Sequence, residues 1–314
     1  ETWPNGSSAM AEHTPTVAIT GAAGYIGSRV ATVLQETHPE WDLIALDNFY
    51  LGEVREIGDL TVEHVDIRHR EALENALSGA DVVLHLAAIS GVDDAIANPD
   101  LTYEVNVQGT NNVGWFCRKT GAGMVFPLSM ATTLGNPEEF PITADLPRNP
   151  MNWYGRTKVL GEQAVETYAE DAFPAHLFMK SNLYGEHEVG DQVVSKGTVI
   201  NFFVDRVFGD EPLTVYEPGT QARNYVHVKD VARAYVKSAE RLLEQLDAGE
   251  TGARSYEIAS DEDPSVMTVA ETVQEIAAEM GLETDVALVE NPRDGETMVS
   301  EFGIDTSKAN RELG

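Results

Sequence analysis

Residues 17–30 read VAITGAAGYIGSRV. A short apolar, β-branched run leads into Gly21, Gly24 and Gly27, and helical periodicity begins directly after them. Glycine at these positions lets a phosphate approach the backbone. The first N–H groups of a helix have no partner inside it, so the turn offers free donors and the positive end of a dipole to a pyrophosphate. Three spaced glycines are often only turns, and the spacing here is Gly-x-x-Gly-x-x-Gly rather than Gly-x-Gly-x-x-Gly. The context decides it. Residues 42–47, DLIALD, read as the next strand, and Asp47 closes it 20 positions after Gly27. A carboxylate there accepts hydrogen bonds from the adenosine ribose and repels a 2′-phosphate, which implies NAD rather than NADP.

Working outward, strand patterns recur at TVAIT, DLIALD, TVEHVD, DVVLHLAA, MVFPLS and HLFMKSNLYG, with helical stretches at 25–37, 69–78, 104–119 and 153–171. Most of the strand runs are apolar throughout, as expected where both faces of a parallel sheet are covered. The expected fold is therefore α/β, a doubly wound parallel Rossmann sheet with right-handed crossovers. The rhythm breaks after Tyr184. We assign 14–184 to the dinucleotide-binding domain, with 225–247 returning to it, and 185–224 and 248–314 to a smaller substrate-binding region. Residues 1–13 read as a leader outside the fold, ahead of a native start near Met10.

The 314 residues carry 52 acidic and 21 basic side chains, a formal net charge of −31 spread along the chain. Such a surface repels nucleic acid and anionic membranes. It suits a salt-rich cytoplasm, where counterions screen the self-repulsion. No stretch approaches the about 20 apolar residues of a membrane span. The single cysteine, Cys117, reads as a buried structural thiol. The histidines, His64 and His69 included, lack zinc-site spacing, so no metal is expected.

Residues 153–158, WYGRTK, place Tyr154 and Lys158 four apart, on one face of a helix. Taken in order, TGAAGYIG, LDNF, VDIRH, HLAA, NVQGT and YGRTK resemble the extended short-chain dehydrogenase/reductase family, and within it the nucleotide-sugar epimerases and dehydratases. The likeness runs from Val17 to Leu313. It implies that Gly21, Gly24, Tyr25, Ile26 and Gly27 seat the pyrophosphate, Asp47 and Asn48 the ribose, and Asp66 and Ile67 the adenine. Leu86, Ala87 and Ala88 would line the cofactor channel, and Asn106 would steady the strand ends near the nicotinamide. Tyr154 would be the general base that takes a sugar hydroxyl proton. A free phenol titrates near about 10, so Lys158 and the cationic nicotinamide are expected to lower it.

The family's third catalytic group is a serine or threonine. In FPLSMATTLG, counting back from Gly135 reaches Met130, which donates no hydrogen bond, whereas counting back from Tyr154 reaches Ser129. Ser129 is the expected catalytic hydroxyl and Thr132 the substitute. The resemblance further implies a substrate set of Ser129, Thr132, Asn182, Val199, Tyr216 stacked on the base, and Arg223 and Arg293 on phosphate. Dehydratases carry an Asp-Glu pair after this threonine position. Its absence argues for oxidation and reduction at one carbon. The expected activity is NAD-dependent epimerisation at C4 of a UDP-hexose. A dehydrogenase that releases NADH and a non-catalytic dinucleotide sensor are the alternatives. Helices 104–119 and 153–171 would supply a homodimer interface.

Overall fold

A computed structural model describes residues 13–292 and 296–314. Its centre is a seven-stranded, all-parallel sheet: β1 (Thr16–Thr20), β2 (Asp42–Asp47), β3 (Glu63–His64), β4 (Val82–His85), β5 (Gly123–Ser129), β6 (Pro174–Lys180) and β7 (Gly252–Ile258). The strand order is β7-β6-β5-β4-β1-β2-β3. Successive strands are added to one side of β1 up to β3 and to its other side from β4 onward, and this switch in strand order between β1 and β4 opens the crevice where such folds bind ligands.

Helices cover both faces. On one side lie α1 (Tyr25–Thr37) and α5 (Val228–Asp247), the latter packing Tyr235 against Phe178 with the rings tilted 54° and 4.9 Å between centroids. On the other lie α2 (Arg70–Ala76), α3 (Thr110–Thr120) and α4 (Trp153–Ala169), closing over Met124, Phe126 and Leu177. The apolar strand runs are explained by this double cover. Cys117 sits in the α3 core, where burial pushes its thiol up. His85, fully enclosed, bridges Thr20 (2.7 Å) and Thr110 (2.9 Å) and ties β4 to its neighbours.

Four stretches differ from the sequence-based expectation. The run 61–66 forms only a two-residue edge strand, because Asp66 turns away to pair with Arg68. The helix expected over 104–119 opens into a π-turn at Glu104–Gly109, which swings Asn106 inward, before α3 begins. The run 176–185 divides at Ser181, whose N–H bonds Ile258; Asn182–Tyr184 then pairs with Tyr225–His227. Residues 252–258, assigned above to the substrate-binding region, are an edge strand of the central sheet paired with β6, since Tyr256 and Ile258 are buried in the same apolar core as Phe178. The smaller region is built from the helices Val199–Phe208 and Val266–Glu279 against the parallel pair Leu213–Tyr216 and Val286–Val289, around Phe203, Leu213 and Val215. No helix among the described residues is long and apolar enough to cross a membrane.

Candidate active site

A cavity of about 630 Å³ runs along the carboxyl ends of the strands from the glycine turn to Tyr154. Gly21 has φ +75°, and a Cβ there would meet the Ala87 nitrogen at 2.6 Å, so the turn is packed onto the end of β4. A Cβ on Gly27 would collide with the Gly21 carbonyl. The first α1 bond runs from Ser28 N to Gly24 O, 3.0 Å, leaving the N–H groups of Tyr25, Ile26 and Gly27 spare at the cavity wall. Gly24 supplies no side-chain cap to use them. These donors fit a pyrophosphate.

At the end of β2, Asp47 accepts hydrogen bonds from Ala23 N (3.0 Å) and Phe49 N (2.7 Å). Its burial outweighs these bonds and raises its carboxyl above the usual range. Both oxygens keep a lone pair for a ribose. Asn48 and Ile67 also line the cavity; Asp66 does not. Burial alone would raise Asp66, but the Arg68 guanidinium and Asn48 Nδ2 bind it and hold it well below the carboxylate range. Asp66 thus positions Arg68, which the sequence reading missed and which does line the cavity. Leu86, Ala87 and Ala88 form the channel wall. Asn106 stays outside it, bonded to both the N–H (2.8 Å) and carbonyl (3.1 Å) of Ile89 and to Thr157 (3.1 Å), so it ties the β4 loop to α4.

At the far end stand Ser129, Tyr154, Lys158 and Lys180. Local chemistry seats α4. Asn152 caps it, its Oδ1 accepting from Gly155 N at 2.9 Å, and Gly155 is too close to the Thr132 carbonyl to carry a side chain. Arg148 in the preceding loop binds buried Glu162 on α4 through Nε (2.9 Å) and Nη2 (2.6 Å). Of the three candidate positions in β5 and its turn, Ser129 lines the cavity, Met130 is fully buried in the core, and Thr132 turns back to the Ser129 carbonyl.

The electrostatics differ from the expectation. Burial pushes the Tyr154 phenol up to about 12 rather than down. Lys158 is 3% exposed, and burial, then the neighbouring charge of Lys180, pushes it down to about 7. Its ammonium lies 4.0 Å from the Phe126 ring centroid. In the dinucleotide-free protein, burial alone sets the direction of the phenol's shift. A bound oxidised nicotinamide would add positive charge beside the phenol and favour its ionised form.

Asn182 lines the cavity, with Nδ2 3.2 Å from the Asn224 carbonyl. The structure does not bring Val199, Tyr216 or Arg223 into the same cavity. Arg223 is spent on the carbonyls of Ala222 (2.8 Å) and Thr297 (2.5 Å), because those loops enclose it. Arg293 lies outside the described residues. Two further lysines were missed as site residues. Lys180 sits at the end of β6, and Lys196 reaches across the cavity to Ser90, 2.8 Å to its carbonyl and 2.9 Å to its hydroxyl. The signal available for Lys180 was a cation at the carboxyl end of an otherwise apolar strand.

A doubly wound sheet with a spare-donor glycine turn, a carboxylate at the end of the second strand and a Tyr–Lys pair at the other end defines an NAD-dependent enzyme of the extended short-chain dehydrogenase/reductase class. Residues 17–259 match the model of the NAD dependent epimerase/dehydratase family, and the chain belongs to that family. It is similar to UDP-glucose 4-epimerase of Bacillus subtilis, 29% identical with 95% of this chain and 91% of that protein covered. Among solved structures, it resembles the Thermus thermophilus UDP-glucose 4-epimerase complex with NAD (25% identity, TM-score 0.77, 94% and 92% covered). MoeE5 in complex with UDP-glucuronic acid and NAD is equally alike (26%, TM-score 0.77, 95% and 92%). The chain is thereby an NAD-dependent nucleotide-sugar epimerase in type.

Proposed function

We propose that this enzyme inverts C4 of a UDP-linked hexose through transient oxidation to the 4-keto sugar. The observation that carries the reading is one cavity that joins the spare N–H groups of Tyr25, Ile26 and Gly27 to Ser129, Tyr154 and Lys158. Gly21, Gly24 and Gly27 would admit the pyrophosphate, Asp47 and Asn48 the ribose, and Ile67, Leu86, Ala87 and Ala88 the rest of the dinucleotide. NAD, when bound, supplies the carbon that takes a hydride from the sugar and returns it.

This chain's residues handle the proton. Tyr154 lines the cavity and its hydroxyl has no hydrogen-bond partner among the described residues, so it would accept the proton of the 4-hydroxyl and later give it back. Ser129 Oγ would hold the reacting oxygen. Lys158, projecting from α4 with its ammonium over the Phe126 ring, would hold the nicotinamide ribose. Asn182 would hold the sugar diphosphate. Bringing Arg223, Tyr216 and Val199 to the nucleotide would require the smaller region to move, since Arg223 is held by backbone carbonyls.

The test is proton NMR of UDP-glucose and UDP-galactose with the purified enzyme, alongside absorbance at the NADH band. Interconversion without net NADH supports epimerisation, and stoichiometric NADH with oxidised sugar would establish the dehydrogenase instead. Tyr154→Phe should lower kcat by about 10²–10⁴-fold with NAD still bound.

A further inference from the structure

Three of the seven lysines in this strongly acidic chain line the one cavity: Lys158, Lys180 and Lys196. Two have partners. Lys158 packs on Phe126 and feels Glu162, while Lys196 bonds Ser90 and feels Asp94. The Lys180 side chain has neither a hydrogen bond nor a carboxylate partner among the described residues; the charges beside it are the cations Lys196 and Lys158. A desolvated cation flanked by cations is unfavourable in the unliganded protein, and an anion from a ligand would relieve it.

Which ligand follows from the sheet. Lys180 ends β6, and its register partner is Ser129 at the end of β5. The glycine turn follows β1, three strands away in the order β6-β5-β4-β1. At about 4.8 Å per strand that is about 14 Å, beyond a lysine's reach, so the dinucleotide pyrophosphate is not its partner. Lys180 lies beside the hydroxyl that would hold the reacting sugar carbon.

We propose that Lys180 is a specificity residue for an anionic sugar, and that the preferred substrate is a nucleotide-linked uronic acid whose carboxylate pairs with Lys180 Nζ. This rests on the nucleotide-sugar reading and narrows its substrate class. A neutral hexose leaves the ammonium unpaired, whereas a carboxylate neutralises it.

The experiment is calorimetric titration of the NAD-loaded enzyme with UDP-glucuronate, UDP-glucose and UDP. The wild type should bind UDP-glucuronate roughly tenfold to hundredfold tighter than UDP-glucose. Lys180→Met should abolish that ratio and Lys180→Arg should keep most of it, with bound NAD measured in each variant. Equal wild-type affinities overturn the proposal. So does a Lys180→Met variant that weakens UDP as much as UDP-glucuronate, which assigns the lysine to the nucleotide diphosphate, or one that loses NAD, which assigns it to the cofactor. Sugar conversion is followed separately by NMR: a binding preference without conversion sinks the epimerase reading and leaves the carboxylate subsite standing.

Discussion

Replacing Lys158 with methionine should stabilise the dinucleotide-free enzyme while abolishing its chemistry. In an unfolded chain the amine titrates near about 10.4; in the fold it is pushed down to about 7 by burial and by Lys180. The folded state therefore binds fewer protons between those values. The penalty of burying the ammonium is fully present below about pH 7 and is lost as pH rises toward about 10. At about 1.4 kcal/mol per unit, a gap of about three units costs the wild type about 4 kcal/mol at neutral pH. Methionine fills much of the same volume but gives up the ammonium–ring contact with Phe126, worth about 1–2 kcal/mol when desolvated. The net gain is about 2–3 kcal/mol, or about 5 °C in Tm for a chain of this size. Differential scanning calorimetry at pH 6.5 and at pH 9.5, on protein stripped of dinucleotide, reads it directly. The variant should melt higher at pH 6.5, and the advantage should shrink by more than half at pH 9.5. A variant that melts at or below the wild type at the lower pH, or a difference independent of pH, would refute the burial argument.

Four other substitutions test contacts within the site and its supports. Gly27→Ala forces a methyl into the Gly21 carbonyl, an overpacking cost of about 1–3 kcal/mol, and should abolish NAD retention through gel filtration. Arg148→Met leaves buried Glu162 without its guanidinium and should lower stability by about 3–5 kcal/mol in denaturant titrations, with turnover lost as α4 loses its brace. Ser129→Ala should lower kcat by about 10²-fold, since one donor to the reacting oxygen is removed. Thr132→Ala, whose hydroxyl is turned back to Ser129 and away from the cavity, should cost far less; the reverse order would move the catalytic hydroxyl to Thr132.

The elements that could be read from sequence are those fixed by near neighbours. The glycine turn after β1, Asp47 at the end of β2, and the Tyr154–Lys158 pair each depend on spacing within one or two elements, and each stands where its spacing places it. The doubly wound architecture was legible because apolar strands alternating with helices have few other ways to bury both faces. The strand expected over 61–66 and the helix over 104–119 departed locally, because Asp66 and Asn106 had bonding partners 2 to 51 residues away that propensity does not register.

The sequence by itself determined that a glycine turn, a strand-end carboxylate and a Tyr–Lys pair are carried by one parallel sheet and its helices, since each is a short-range pattern set by backbone periodicity. Only the tertiary structure decided which serine or threonine reaches the cavity, that Arg223 is spent on carbonyls, and that Lys180 stands unpaired beside Ser129. Those outcomes depend on strands 51 residues apart coming into register, and on how much water their packing removes from a phenol and three amines.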